Sequence, residues 1–84
     1  MARLVFLGRL EDLAGMEEIT TPLERPTALA SVLAVLPKDL IAALTSPKVR
    51  VALNGAVVAV EQALDDLTIA DGDEVAFLPP VSGG

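Results

Sequence analysis

At 84 residues the chain has room for one domain and, burying somewhat over ~60% of its unfolded surface, is too small for a deep enclosed active site. It contains no cysteine and no histidine, which excludes disulfides, thiolate metal sites, most zinc sites and the usual general bases. Twelve acidic against six basic residues give a formal net charge of −6, which disfavours nucleic acid and anionic membrane surfaces and suits a basic protein partner.

In chain order, residues 3–8 read as a strand whose four successive apolar positions, Leu4 to Leu7, imply burial on both faces. A short segment over residues 10–14 and Gly15 come next, then a weaker strand over 16–20 in which Glu17 and Glu18 mark an edge. Thr27 is placed to cap a helix over residues 27–36, whose Leu29, Val32, Leu33 and Leu36 recur at i, i+3, i+4 and i+7. Pro37 stops it and opens a second short helix over 37–44, with Leu40, Ile41 and Leu44 inward. Residues 49–53 and 56–60 flank Asn54-Gly55, the residue pair of a type I′ hairpin turn. Residues 61–70 read as irregular and polar. Asp71-Gly72-Asp73 then turns the chain into a last strand over 74–78, ended by Pro79-Pro80.

One main helix and about five short strands describe a two-layer α+β domain with the helix across one face. The β-grasp, with a mixed sheet, is the compact fold that fits this order best, although periodicity alone does not select it. Alternation places Leu4 and Phe6 with Val75 and Phe77 on the face toward the helix. The apolar fraction of 52% supports a folded core, and with Phe6 and Phe77 the only aromatic residues that core is aliphatic. No uncharged run reaches the ~18 residues of a membrane helix, the longest being residues 26–37. The N-terminal residues carry no readable export signal, so the expected location is the cytoplasm.

The C-terminal segment stands apart from the rest. After Glu74 no charged side chain occurs, and the chain closes as Leu78-Pro79-Pro80-Val81-Ser82-Gly83-Gly84. At ordinary glycine usage of ~7%, paired terminal glycines arise in roughly 0.5% of chains, a modest signal taken alone. Its context strengthens it. An uncharged, narrow tail can enter a protein tunnel at little desolvation cost beyond that of its carboxylate. Glycines without a Cβ allow close approach to another enzyme's catalytic groups, and prolines stiffen the tail at its base. The expected organisation is a folded body over residues 1–79 and a flexible tail over 80–84, with Gly84 presenting its carboxylate.

The stretch from Asp71 to Gly84, with Phe77-Leu78-Pro79-Pro80-Val81-Ser82-Gly83-Gly84 at its end, closely resembles the C-terminus of the MoaD family, small subunits of molybdopterin synthase. The resemblance extends to Val51-Ala52-Leu53-Asn54-Gly55 and to Leu4–Leu7 with Leu10 to Gly15, essentially the whole chain in order. ThiS-type carriers and ubiquitin-like modifiers share the fold and the Gly-Gly end. The resemblance implies a sulfur carrier. A partner adenylating (MoeB-like) enzyme would use ATP to activate the Gly84 carboxylate, a persulfide would leave a thiocarboxylate, and the tail (Pro80, Val81, Ser82, Gly83 and Gly84) would insert into a large (MoaE-like) subunit. There the sulfur would pass to a pterin precursor of the molybdenum cofactor. The chain itself would bind no cofactor and no metal and would catalyse nothing alone. A carrier for thiamin, or a modifier joined to lysines through Gly84, are the alternatives.

Other features have plainer explanations. Lys38 and Lys48 read as solvated surface. Asp65, Asp66, Asp71 and Asp73 lack the spacing and terminal Glu of an EF-hand loop and read as turn residues. Ser82 has no histidine base, so it is a small spacer rather than a nucleophile. One helix layer covers one side of a sheet, so Leu7, Val58 and Leu78 are expected on the opposite face as a partly exposed apolar patch for a partner protein.

Overall fold

The computed structural model describes residues 1–46, 48–58 and 66–79. Along the chain the elements are β1 (Ala2–Phe6), α1 (Arg9–Ala14), β2 (Glu18–Thr21), β3 (Thr27–Ala28), α2 (Leu29–Leu33), α3 (Lys38–Leu44), β4 (Arg50–Leu53), β5 (Ala56–Val57), β6 (Thr68–Ile69) and β7 (Glu74–Leu78). Five of the strands form one sheet in the order β2-β1-β7-β4-β5, and β3 and β6 pair separately. The sheet is mixed: β1 runs parallel to β7, and the other pairs are antiparallel.

The most apolar strands take the centre. β1 and β7 have neighbours on both sides, and pairing sets Leu4 opposite Val75 and Phe6 opposite Phe77. The two phenylalanine rings stack with centroids 5.9 Å apart at an interplanar angle of 21°. Leu4, Phe6, Val75 and Phe77 are all buried in one cluster with Leu10, Leu29, Val32, Leu33, Leu40 and Leu44, and Leu36 packs against it. The helices therefore cover the face that alternation predicts, and that register holds.

The helical cover differs from the expected single main helix. Thr27 and Ala28 pair antiparallel with Ile69 and Thr68, so the helix begins only at Leu29 and spans five residues. Thr27 does not cap it; its hydroxyl donates to the Arg25 carbonyl at 2.9 Å. The β-branched Thr27 suits the extended backbone, and the pairing lets the Leu29 N–H reach the Leu67 carbonyl at 2.7 Å while Ile69 is fully buried. This short ladder also supplies a strand where residues 61–70 read as irregular. Pro37 separates α2 from the seven-residue α3, whose Leu40 and Leu44 are buried as expected.

The Asn54-Gly55 turn has φ of 50° and 88°, the positive pair that a two-residue hairpin requires. Asn54 does more than turn. Its Nδ2 donates to the Asp73 carboxylate at 3.1 Å, its Oδ1 accepts the Glu74 N–H at 2.9 Å, and its own N–H donates to the Glu74 carbonyl at 2.8 Å. The other Asp73 oxygen accepts the Ala70 N–H at 2.8 Å. This clasp ties the β4–β5 hairpin to the start of β7.

The Ala70 N–H and then the Asn54 amide hold the Asp73 carboxyl below its ordinary range. A carboxyl group depressed in the folded state stabilises fully above its unfolded pKa, near ~3.9, and loses that contribution as pH falls through the folded value. Stability should therefore decline below about pH 4, and Asp73→Asn should flatten that decline while lowering stability at neutral pH. Urea unfolding of both proteins from neutral to acid pH measures this.

Candidate functional site

β7 delivers the C-terminal segment from the middle of the sheet, between β1 and β4, rather than from an edge. Its parallel ladder with β1 runs from Arg3 N–H to the Asp73 carbonyl at 2.9 Å, up to Leu7 N–H to the Phe77 carbonyl at 3.2 Å. In this register the next donor back toward β1 would be the amide of residue 79, facing the Leu7 carbonyl. Proline has no N–H, so the ladder stops there. The Leu7 carbonyl instead accepts the Leu10 N–H at 3.1 Å, and the Gly8 carbonyl accepts the Glu11 N–H at 3.1 Å, which opens α1.

The sheet face opposite the helices carries Val5 and Leu7 of the first strand segment, Ala76 and Leu78 of β7, Ala52 of β4 and Val57 of β5. Leu7 is 41% exposed, and the register sets it beside the half-buried Leu78, next to the root of the tail. Leu7 and Leu78 thus lie together as expected. Val58 does not join them. The two-residue turn pairs Leu53 with Ala56 and Ala52 with Val57, and the Val58 N–H donates to the Val51 carbonyl at 2.8 Å. Val51 points into the core, so Val58 does too and packs against it. Val57, 64% exposed, takes the position on the open face. The hairpin arithmetic from Asn54-Gly55 gives the Val51–Val58 pairing from sequence, and the pairing of Val51 with Phe77 in the fold gives the face.

Charge borders the apolar strip. At one end Arg3 donates to both Glu18 oxygens, at 2.9 and 3.2 Å, and lies 3.8 Å from Glu74. The hydrogen bond from Arg3 holds the Glu18 carboxyl below its ordinary range. At the other end the exposed Arg50 pairs opposite Leu78. Asp71 is engaged by the Met1 amino group, and Lys38 and Lys48 are exposed. Among the described residues no three His, Cys, Asp or Glu side chains gather to hold a metal ion, and no helix is long and apolar enough to cross a membrane. Asp65 and the tail residues Pro80, Val81, Ser82, Gly83 and Gly84, with the expected flexibility of that tail, lie outside the described residues.

The family model for the ThiS family matches residues 4–84. The chain is 33% identical, over 86 aligned positions and 100% of both proteins, to the molybdopterin synthase sulfur carrier subunit of Escherichia coli (strain K12). In structure it is similar to SAMP1 from Haloferax volcanii, with a TM-score of 0.67 and 26% identity over 99% of this chain and 98% of that one. A likeness of fold alone extends to the Helicobacter pylori 26695 molybdopterin-converting factor, a protein-protein complex of its subunits 1 and 2. There the TM-score is 0.64 at 23% identity, over 99% of this chain and 97% of that one. The architecture is accordingly a β-grasp of the ubiquitin-like kind.

The placement of the two neighbouring valines is open to a direct check. Val58→Asp sets a carboxylate against the core and should cost about 1–3 kcal/mol in urea unfolding. Val57→Asp should stay within about ±0.5 kcal/mol of wild type, as exposed substitutions do.

Proposed function

This chain belongs to the ThiS family, as a sulfur carrier of the ThiS/MoaD type, and on that premise we propose that it is the sulfur-bearing small subunit of a molybdopterin synthase. The observation that supports this most is the 33% identity with the Escherichia coli carrier subunit, which leaves no part of either protein uncovered. In this reading residues 1–79 form the β-grasp domain and residues 80–84 a flexible, presenting tail.

The chemistry stems from the poor leaving ability of a carboxylate oxygen. An oxygen of the Gly84 carboxylate attacks the α-phosphorus of ATP on a MoeB-like partner, and pyrophosphate departs. A persulfide sulfur then attacks the acyl carbon and AMP leaves; a thiol cleaves the resulting S–S bond and frees the thiocarboxylate. The charged tail enters a MoaE-like large subunit, which supplies the catalytic side chains for transfer to the pterin precursor. ATP belongs to the activating partner, and its use places the carrier in the cytoplasm. Leu7 and Leu78, beside the root of the tail, together with Val57 two strands away on the same face, are the docking surface. Docking there brings body and tail to the same partner together. The likeness to SAMP1, the small archaeal modifier protein 1 of Haloferax volcanii, favours a second reading, a protein modifier, which differs by leaving a Gly-Gly remnant on target lysines after digestion.

Deleting Gly84 withdraws the carboxylate by roughly 3.3–3.6 Å. Misplacement by even ~1 Å can cost about a hundredfold in rate, so the deletion should abolish adenylate and thiocarboxylate formation. Thermal stability should stay within about ±0.5 kcal/mol of wild type. Intact mass after incubation with ATP, an adenylating enzyme and a sulfur donor reads the outcome as one sulfur in place of one oxygen. Normal charging of the deleted chain would remove the mechanism.

Leu7→Asp tests the docking surface, since a buried charge in the interface must be desolvated. Affinity for the large subunit should fall by at least about tenfold, with the isolated chain still folded. Titration calorimetry with the purified large subunit measures it, and unchanged affinity would reject this surface.

A further inference from the structure

Where β1 ends and β7 ends side by side, one residue stands out. Gly8 has φ 55° and ψ −130°, a backbone region open to glycine and costly for residues with a Cβ. Space forbids a side chain there independently. A Cβ on Gly8 would lie 2.9 Å from Cγ and 3.7 Å from Cδ of Pro79, whereas ordinary contact begins near 3.4 Å. Gly15, Gly55 and Gly72 also have positive φ, yet a Cβ on any of them would meet nothing within 4 Å. Gly8 is thus set apart from the other described glycines by a tertiary contact, and that contact is with the first residue of the chain's exit from the sheet.

We propose that Gly8 is a positioning residue for the C-terminal tail, the socket that seats the Pro79 ring and so sets the direction in which the chain leaves the sheet at Pro79. This rests on the carrier reading and adds to it the device that aims the carboxylate. Three features act at one point. Pro79 cannot continue the ladder, so hydrogen bonding does not hold it to β1. The Leu7 carbonyl that its amide would have used is taken by Leu10. What remains to orient residue 79 is the ring lying on bare backbone at Gly8, half-buried. From there the remaining five residues reach at most about 18 Å, so the seat of the ring sets where that reach begins. The socket adjoins Leu7 and Leu78 along the chain but is made of the Gly8 backbone and the Pro79 ring, so it can be altered while the side chains of the docking strip are kept.

The experiment measures pyrophosphate release by a purified adenylating enzyme that charges the wild-type chain, as a function of full-length carrier concentration. Gly8→Ala pushes the ring out of its seat, and kcat should fall by about tenfold or more while KM stays within about twofold, since the exposed side chains of the body are unchanged. Pro79→Ala empties the seat with Gly8 kept, and the N–H it restores faces a Leu7 carbonyl that the Leu10 N–H already occupies. It should show the same split, which keeps the test available should Gly8→Ala fail to fold. In the wild-type chain, nuclear Overhauser contacts should join the Gly8 α-protons to the Pro79 ring. Their absence, wild-type kcat in either folded variant, or a rise in KM at constant kcat overturns the positioning role. If the wild-type chain acquires no thiocarboxylate with any adenylating partner, the carrier reading falls and the role of Gly8 falls with it. Normal charging of wild type beside equal charging of Gly8→Ala removes the role of Gly8 alone.

Discussion

Parallel pairing between the first and last strands is the constraint on which the rest of the molecule depends. A parallel pair cannot be closed by a tight turn, so everything between β1 and β7 serves as the crossover. That crossover must carry the helices that cover one face of the sheet. The pair also occupies the centre of the sheet, where strands are flanked on both sides and need apolar side chains on both faces. The unbroken run from Leu4 to Leu7 and the sequence Val75-Ala76-Phe77-Leu78 meet that need. The two aromatic residues of the chain are spent on this junction, Phe6 against Phe77.

The same pairing makes the body a suitable launcher for a tail. β7 is held at both ends by different means. At its start the Asn54 amide and the Asp73 carboxylate lash it to the neighbouring hairpin and to Ala70. At its end the ladder to β1 runs out at Leu7, and the Pro79 ring rests on Gly8. A strand fixed in this way has its C-terminal end held in place between β1 and β4. The open face then places exposed apolar side chains next to the exit. Arg3 with Glu18 and Glu74 at the far end, and Arg50 at the near end, frame that strip with charge. Exposed ion pairs of this type add little stability; in the docking proposed above they would orient the partner.

The departures of the fold from local expectation share a cause. A hydroxyl residue ahead of an apolar pattern of helical period points to a helix cap at Thr27. In the fold its backbone is claimed by residues 68 and 69, far along the chain, and a two-residue ladder wins over a cap. Such a strand is invisible locally, because Thr68 and Ile69 are too short a run to show alternation. Counting within its own strand puts Val58 on the open face. Its true side is set by its pairing with Val51, which faces the core. Gly8 gives no local sign at all, since a glycine after a strand reads as a turn whether or not anything is packed on it.

Elements with local causes are legible in the order of the amino acids. Apolar runs mark the strands, Pro37 divides the helices, Asn54-Gly55 sets the hairpin turn, and Pro79 ends the last strand. Together with the uncharged Gly-Gly terminus these features point to the carrier family. Whatever depends on residues distant along the chain waits on the tertiary fold. Folding makes β1 and β7 neighbours, gives Asp73 its partners, turns Val58 inward and lays Pro79 on Gly8. The physical reason is that the hydrogen-bond and steric preferences of one residue act over a few ångströms. Only folding determines which of the other residues come within that range.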